Sequence, residues 1–260
     1  MQKLYENLQT RKSNSEITMK IVGFIPARWN SSRFPGKPLS LLKGKTLIQH
    51  VYDNAKASEI FDKIIVLTDD IRIFEHACKF ADETFISEKE YMCGTDRIAD
   101  TLDLVEAEII QPDLVFNLQI DEPYLPPTVY RSIKELFFEN KDKNVKCFTA
   151  VSLAEFDAFD RNNVKAVLDK ARNVLYFSRQ PIPSVAYCGD FYYYKHIGIY
   201  AYSPRFLKEF VGLPKGLAFA ENLEQLRILE AGYKIKSYIT LSDSPSINTP
   251  EDLEKLEKIL

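Results

Sequence analysis

The chain has 260 residues, of which 45% are apolar and 27% charged, and its formal net charge is −3. A chain of this length buries enough surface to form one large domain or two small ones without disulfides or structural zinc, and its composition excludes disordered and low-complexity classes. The acidic balance excludes a global basic field for wrapping nucleic acid, and no apolar run approaches the ~20 residues of a membrane-spanning helix.

The first 20 residues are polar and lack the apolar core of a secretory signal, so they predict an extension ahead of a single domain over residues 21–260. The four cysteines lie far apart with no CxxC motif. Scattered cysteines of this kind are typical of reduced thiols, so we expect a cytoplasmic protein.

Apolar runs and amphipathic stretches alternate through the first half of the chain. Thr46 is predicted to cap the first helix, with Gln49 completing a capping box. The apolar face of that helix is predicted to contain Leu47, Ile48, Val51, Tyr52 and Ala55. The predicted strands are 21–25, 63–68, 84–86 and 114–118, and further helices are predicted to end near 80 and to cover 96–107 and 128–139. This alternation predicts a mainly parallel sheet flanked by helices, with ligands at the carboxyl ends of the strands.

The second half is richer in β-branched and aromatic residues and predicts an antiparallel sub-region inserted in the same unit, since no Gly/Ser-rich linker separates the halves. Strands are predicted at 145–152, 164–169, 196–202 and 234–240, and residues 176–183 are predicted to end an extended piece. Helices are predicted at 204–210, at 221–231 and from Thr249, which precedes a proline suited to the first helical position.

The loop after the first strand, residues 26–39, is the first candidate binding site. It combines fixed cations, hydroxyls and a glycine, the set that proteins use to hold a polyphosphate, but it matches neither GxxxxGK[ST] nor GxGxxG. The alternative is a solvated loop with ordinary surface charges. The members of the set are Arg28, Ser31, Ser32, Arg33, Gly36 and Lys37.

Other polar residues have an ordinary structural interpretation beside the functional one. Asp121 and Glu122 follow a buried strand, where a carboxylate can bind a cation at the edge of the sheet, although such a pair also commonly forms a turn. His196 is equally typical of a satisfied core histidine, and Arg179 of a surface cation. Residues 224–225 fit the solvated face of a helix as well as a binding site.

The segment PARWNSSRFPGKPL (26–39) resembles the signature loop of the CMP-sugar-acid synthetases, and most of all the motif PARxxSxRxPGKPL of the 3-deoxy-manno-octulosonate (Kdo) cytidylyltransferase family. Further segments resemble motifs of that family from residue 21 to the C-terminus. They are LTDDIRI, CGTDRIAD, NLQIDEPYL, VLYFSRQPIP, HIGIYAY, LEQLR and INTPEDLEKLE.

The resemblance implies a Rossmann-like α/β fold of the nucleotide-diphospho-sugar transferase type. It implies an enzyme that couples CTP to Kdo or a related ulosonic acid, releasing pyrophosphate and forming a CMP-sugar for lipopolysaccharide synthesis. It also implies Mg²⁺ as cofactor and a homodimer, with the sub-region at about 170–220 serving sugar binding and dimerisation.

The resemblance further implies a role for each matching residue. The nucleotide set is Arg28, Ser31, Ser32, Arg33, Lys37, Gly94, Thr95 and Arg97. The sugar set is Gln119, Arg179, His196, Tyr200, Glu224 and Gln225. The metal ligands are Asp121 and a weakened Asn248, and the catalytic set is Lys37, Arg28 and Asp121.

Three positions depart from the family pattern. Ile120 replaces a glycine, which predicts a crowded ligand or a backbone barred from positive φ. Asn248 replaces the second metal aspartate and predicts a weakened site, for which Asp243 is a candidate replacement. Cys93 replaces a serine, a better hydrogen-bond donor. These changes leave two alternatives open: a catalytically impaired homologue that binds nucleotide or sugar, or an enzyme for a variant sugar such as amino-substituted Kdo.

Overall fold

The computed structural model describes residues 19–140, 144–184, 191–242 and 245–259, and within these ranges the chain forms a nine-stranded mixed sheet and a separate two-stranded sheet. Most of the predicted N-terminal extension, Cys188 and Asp243 lie outside the described residues. No helix in the described ranges is both long enough and apolar enough to cross a bilayer.

The strands and helices alternate as the sequence predicts. The strands are β1 (Ile21–Ala27), β2 (Leu41–Leu42), β3 (Lys45–Thr46), β4 (Lys63–Thr68), β5 (Glu83–Ile86), β6 (Leu114–Leu118), β7 (Val145–Ser152), β8 (Lys165–Leu168), β9 (Val174–Ser178), β10 (Tyr194–Tyr202) and β11 (Lys234–Thr240). The helices are α1 (Leu47–Ala57), α2 (Ile71–Ala77), α3 (Gly94–Glu108), α4 (Pro127–Asn140), α5 (Pro204–Phe210), α6 (Gly216–Glu221), α7 (Leu226–Glu230) and α8 (Pro250–Ile259).

The order of the strands confirms a mainly parallel sheet. It runs β11-β7-β10-β6-β1-β4-β5, with β8 added to β10 and β9 to β8. Strand β1 is parallel to β4 and β6, and β7 is parallel to β11, whereas β10 is antiparallel to both of its central neighbours. The antiparallel set β8-β9-β10 is the predicted inserted sub-region. One edge of the sheet therefore carries the carboxyl ends of the parallel strands and the amino end of β10.

Both faces of the sheet are covered, which explains why β1 is continuously apolar. Ile21 and Ile25 pack with residues of α1 and α4 in one core cluster, whereas Val22 and Phe24 pack with residues of α3 and α5 in the other. Alternate side chains of a strand point to opposite faces, so a strand buried on both sides needs apolar residues throughout.

The two predicted helix caps have different outcomes. Thr249 Oγ1 accepts a hydrogen bond from the Asp252 backbone amide at 3.3 Å, and the Asp252 carboxylate accepts one from the Thr249 amide at 2.9 Å, so this cap is confirmed. The predicted capping box at Thr46 is wrong. Its hydroxyl makes no cap bond and pairs instead with His76 Nε2 at 2.8 Å, because tertiary packing brings that ring within reach. All five predicted apolar residues of α1 are buried.

The predicted single helix over 221–231 is also wrong. Helix α6 ends at Glu221, and α7 begins at Leu226. Between them Asn222 adopts the left-handed conformation, with φ 54°, which asparagine tolerates better than most residues and which ends a helix. Residues 224 and 225 therefore belong to a turn, not to the solvated face of a helix.

Candidate active site

A cleft of about 480 Å³ opens at the edge of the sheet where the parallel strands end. It is bounded by the end of β1, the start of α3, the segment after β6, the first half of β10 and the turn between α6 and α7. Among the predicted site residues, Ser31, Ser32, Lys37 and Thr95 do not line it. The predicted site residues that do are Arg28, Arg33, Gly94, Arg97, Gln119, Asp121, Arg179, His196, Tyr200, Glu224, Gln225 and Asn248.

The basic loop is closed on itself by backbone hydrogen bonds. Trp29 O accepts from the amides of Ser31 and Gly36, each at 3.0 Å. Gly36 has φ 72°, and a Cβ there would lie 3.0 Å from the Trp29 ring, so this position favours glycine for both torsion and space. The chain then makes a short 3₁₀ turn that begins at Lys37.

Lys37 does not line the cleft but forms an ion pair with Asp121, which does. Lys37 Nζ lies 3.9 Å from the Asp121 carboxylate. Burial lowers the pKa of Lys37, and the neighbouring carboxylates of Asp121 and Glu122 act in the opposite direction. The loop after β1 and the segment after β6 thus bring a cation and an anion together.

The amino end of α3 faces the same cleft. Gly94 packs so closely against β1 that an added Cβ would lie 2.8 Å from Pro26 Cγ. This contact places the first turn of a 15-residue helix beside the basic loop. Helix amino ends carry partial positive charge and unpaired amides, which favour an anionic ligand.

Arg33 crosses the cleft to two asparagines that are distant in sequence. Its Nη1 donates to Asn162 Oδ1 at 2.6 Å, and its Nη2 donates to Asn248 Oδ1 at 3.1 Å. The amide of Ile247 donates to the Asp121 carbonyl at 2.9 Å, which holds Asn248 close to the Asp121 segment. The oxygen of Asn248 therefore binds a guanidinium in this arrangement.

The donors around Asp121 fit a magnesium ion held by one carboxylate. The described residues contain no group of three or more His, Cys, Asp or Glu side chains suited to a metal. Mg²⁺ commonly binds one or two carboxylates and takes its other ligands from substrate phosphates and water. Asp121 lines the cleft beside the cationic loop and meets that requirement, whereas Asn248 supplies no charge.

Glu224 lies at the centre of a buried polar cluster. Its carboxylate accepts from Thr95 Oγ1 at 3.1 Å, from Gln119 Nε2 at 3.4 Å and from Asn117 Nδ2 at 3.5 Å. Burial raises the pKa of Glu224, and the hydrogen bonds from Thr95 oppose that rise. Thr95 is fully buried, so its hydrogen bond holds the Glu224 carboxylate from within the protein interior.

His196 is buried and uncharged in this setting. Its Nε2 lies 3.1 Å from Thr149 Oγ1, and its ring packs edge-on against Phe177 and tilted against Tyr200. Burial lowers the pKa of His196 to about 3. The ring thus serves as a neutral hydrogen-bonding group, in a position that joins the core to the cleft.

Arg179 lines the cleft and also braces its wall. Its Nε donates to Glu221 O at 2.9 Å, its Nη1 to Arg161 O at 3.0 Å and its Nη2 to Asn222 O at 3.2 Å. The guanidinium is thus bonded to backbone carbonyls on two separate segments, so the simple surface interpretation is wrong.

Arg227 and Asn162 are two of the polar cleft residues that sequence reasoning missed. Arg227 is 1% exposed, lines the cleft and donates to the Asp96 carboxylate at 2.9 Å. A charged residue inside the otherwise apolar run LRIL (226–229) was the available signal. Asn162 carries no such signal, because its role depends on a contact with Arg33, 129 residues away.

Two of the sequence departures are structurally mild. Ile120 is 8% exposed, belongs to the apolar core and does not line the cleft, so the predicted crowding is wrong. It is also absent from the described residues with positive φ, which removes the backbone argument. Cys93 lines the cleft, and its thiol donates to Asp96 Oδ2 at 3.3 Å.

The sheet covered on both faces, with a cationic loop at its carboxyl edge, matches a nucleotidyltransferase fold. The family model described as cytidylyltransferase matches residues 22–235, and the chain belongs to that family.

Relatives of this chain carry the names of enzymes that act on Kdo or its 8-amino analogue. The chain is 43% identical over 252 residues to the 3-deoxy-manno-octulosonate cytidylyltransferase of Thermodesulfovibrio yellowstonii, covering 93% of this chain and 98% of that one. It is 43% identical over 243 residues to the 8-amino-3,8-dideoxy-manno-octulosonate cytidylyltransferase of Shewanella frigidimarina, covering 92% and 98%. The solved structure of a CMP:2-keto-3-deoxy-manno-octonic acid synthetase complexed with CTP superposes with a TM-score of 0.82 at 33% identity, covering 92% and 98%. These matches confirm the resemblance seen in the motifs.

Proposed function

We propose that this protein transfers the cytidylyl group of CTP to Kdo or to its 8-amino analogue. The anomeric hydroxyl loses its proton and forms a bond to the α-phosphorus, the bond from that phosphorus to the bridging oxygen breaks, and pyrophosphate leaves. The CMP-sugar would serve lipopolysaccharide synthesis. Relatives of both specificities and the CTP-bound structural neighbour support the proposal.

The observation that carries the proposal is the contact of Lys37 with Asp121, 3.9 Å apart, at a cleft that the same loop lines with Arg28 and Arg33. A cationic loop and a helix amino end can hold a triphosphate, and phosphoryl transfer depends mainly on positioning and charge neutralisation. We assign Lys37 and Arg28 to the charge of the reacting phosphates.

The sugar is assigned to the inner half of the cleft. Glu224 and Gln119 can accept from and donate to sugar hydroxyls, with neutral His196 and the Tyr200 hydroxyl beside them. A bidentate grip by Arg179 on the sugar carboxylate requires it to release the carbonyls that it binds here. Gln225 adds a side-chain amide nitrogen with no hydrogen-bond partner among the described residues.

Mg²⁺ is the cofactor we propose, with Asp121 as its protein ligand. Such an ion, when bound, neutralises phosphate charge and favours attack on an anionic phosphorus. Lys37 would share that neutralisation, and Asp121 would keep its orientation through the backbone bond from Ile247.

The direct test is pyrophosphate release from CTP and Mg²⁺ with Kdo and with its 8-amino analogue in parallel. We expect turnover with at least one of the two sugars and none without sugar. Absence of turnover with both sugars, in protein that is folded, would contradict the proposed reaction.

A second candidate is a homologue that binds nucleotide or sugar without turnover. The hydrogen bond from Arg33 to Asn248 favours it, because the position of the second family carboxylate holds no negative charge here. This candidate predicts that CTP raises the melting temperature while pyrophosphate release stays at background.

We further propose a cytoplasmic homodimer. The cysteines of the described residues, at 78, 93 and 147, are free thiols, as expected in a reducing compartment. The dimer interface is assigned to the sub-region at about 170–220, where Leu175 and Phe219 are large exposed apolar side chains. Sedimentation of the wild type and of Leu175→Asp tests the assignment, since the variant should dissociate at concentrations that leave the wild type dimeric.

A further inference from the structure

The acidic pair that follows β4, in the segment LTDDIRI, has no role in the proposed chemistry so far. Asp69 and Asp70 are neighbours in sequence but make separate contacts. Asp70 caps α2 by accepting from the Arg72 amide and forms an exposed ion pair with the Arg72 side chain. Asp69 instead binds Trp29 of the basic loop and Arg97, which lines the cleft.

Each carboxylate oxygen of Asp69 binds a different part of the nucleotide side of the cleft. Oδ1 accepts from the backbone amide of Trp29 at 3.1 Å. Oδ2 accepts from Arg97 Nη2 at 3.0 Å. Trp29 opens the basic loop, and its carbonyl closes the loop on Gly36, so Asp69 fixes the base of that loop.

The two terminal nitrogens of Arg97 differ in their contacts, since only Nη2 is bound to Asp69. The Arg97 side chain is 8% exposed, lies over the Tyr91 ring at 5.1 Å and lines the cleft. Its Nη1 is buried and has no hydrogen-bond partner among the described residues. A buried guanidinium nitrogen without a partner is costly unless a ligand completes its bonding, so this nitrogen is a candidate contact for the nucleotide.

The two contacts of Asp69 need a carboxylate. The Trp29 amide and Arg97 bind different oxygens of Asp69, and an asparagine has only one oxygen, so at one of the two positions its amide nitrogen would face a donor. Loss of Oδ2 would leave Arg97 free to rotate about its side-chain torsions and would remove the link between α3 and the basic loop.

We propose that Asp69 is a positioning residue, which ties Arg97 to the basic loop and thereby sets the affinity of the cleft for the nucleotide. The proposal rests on the proposed function, since it concerns the binding of CTP. It assigns Asp69 no contact with the substrate; the residue acts through Arg97 and Trp29.

Asp69→Asn is the test variant, and Asp62→Asn is its matched control. Asp62 accepts from the Ile21 amide at 2.8 Å and pairs with Lys20 at 3.4 Å, at the opposite edge of the same two strands. Both substitutions thus remove one charge that binds a backbone amide and a cation. CTP affinity is measured by calorimetry, KM and kcat by pyrophosphate release, and unfolding by circular dichroism.

We expect Asp69→Asn to weaken CTP binding and raise KM for CTP about tenfold or more, the usual effect of losing a charged hydrogen bond, with a much smaller change in kcat and in KM for the sugar. Asp62→Asn should stay within about twofold of the wild type in CTP affinity. A merely structural role would lower the melting temperature of both variants alike and leave both KM values for CTP unchanged, which would overturn the proposal.

Arg97→Lys provides a second test if Asp69→Asn folds poorly. Lysine can pair with Asp69 but has no second nitrogen to offer the ligand, so we expect it to lose CTP affinity to a similar degree. Wild-type affinity in Arg97→Lys would refute the inference. Failure of the wild type itself to bind any cytidine nucleotide would instead overturn the proposed function and the inference with it.

Discussion

Asn248 shows how one amide changes the charge balance of the cleft. Its oxygen accepts from Arg33, and its segment is held to Asp121 by a backbone hydrogen bond. An aspartate at this position would place two carboxylates beside the basic loop. The asparagine thus offers the Arg33 guanidinium a neutral acceptor where an aspartate would offer a charged one.

Asn248→Asp is expected to tighten Mg²⁺ binding about tenfold in the presence of CTP, because it adds a negative charge close to Asp121. Magnesium titration by calorimetry measures the effect independently of turnover. Asn162→Asp is the matched control, since it contacts the same guanidinium from a different loop. Equal gains in both variants would attribute the effect to Arg33 and not to a metal ligand.

Arg227 is a buried charge whose partner is also buried. Removing it in Arg227→Met leaves Asp96 without its ion pair, so we expect a loss of about 3–5 kcal/mol in the free energy of unfolding. Arg205→Met, which breaks an exposed pair with Glu209 on α5, should change stability by less than about 0.5 kcal/mol. Urea denaturation compares the two. Similar small losses would mean that water reaches Asp96 in the variant.

At the scale of the elements, the break between α6 and α7 decides what the second half contributes to the cleft. A continuous helix over 221–231 would direct its polar residues to solvent. The left-handed Asn222 instead turns the chain, so Glu224 faces Gln119 and Thr95. Arg179 then secures the turn by binding the carbonyl of Asn222.

Asn222→Val is expected to lose about 1–2 kcal/mol of stability, because a β-branched residue is strained at φ 54°. It should also raise KM for the sugar, since Glu224 follows the turn. Asn222→Gly accepts the same torsion and should keep both properties close to the wild type. Urea unfolding and steady-state kinetics measure the two effects, and a normal sugar KM in the valine variant would show that Glu224 does not depend on the turn.

At the scale of the whole molecule, the antiparallel strand β10 joins the two halves of the chain. It lies between β6 and β7, and its register sets Tyr200 opposite Asn117. Residues 196–200 from the second half therefore lie beside residues 117–121 from the first. One sheet thus brings residues from both halves of the chain to the same cleft.

The buried His196 makes the free energy of unfolding depend on pH. Burial lowers its pKa to about 3 in the folded protein from an ordinary value of 6.5, so between these values the unfolded chain binds the extra proton. The stability contributed by neutral His196 is therefore complete above about pH 6.5 and is lost as the pH falls toward 3. Unfolding free energies measured across this range should fall with acidity, and less steeply in His196→Gln. An unchanged slope in that variant would assign the acid sensitivity to other groups.

Much of the fold was predictable because it is encoded locally. The predicted runs at 63–68, 114–118, 145–152 and 234–240 are the observed strands β4, β6, β7 and β11, since apolar runs between turn residues suffice to define buried strands. The loop 26–39 could likewise be identified as a candidate binding site from its cations, hydroxyls and glycine. The helix break at Asn222 was not, because asparagine is compatible with a helix interior as well as with a left-handed end.

The sequence by itself determined most of the strand and helix pattern, the family and the set of polar residues at the ends of the strands, because these depend on short-range periodicity and residue type. Only the tertiary structure decided that Lys37 meets Asp121, that Arg33 binds Asn248, that Ile120 faces the core and that Asp69 holds Arg97. Such contacts join residues from 28 to 215 positions apart, and their geometry follows from sheet order and packing, which no local pattern encodes.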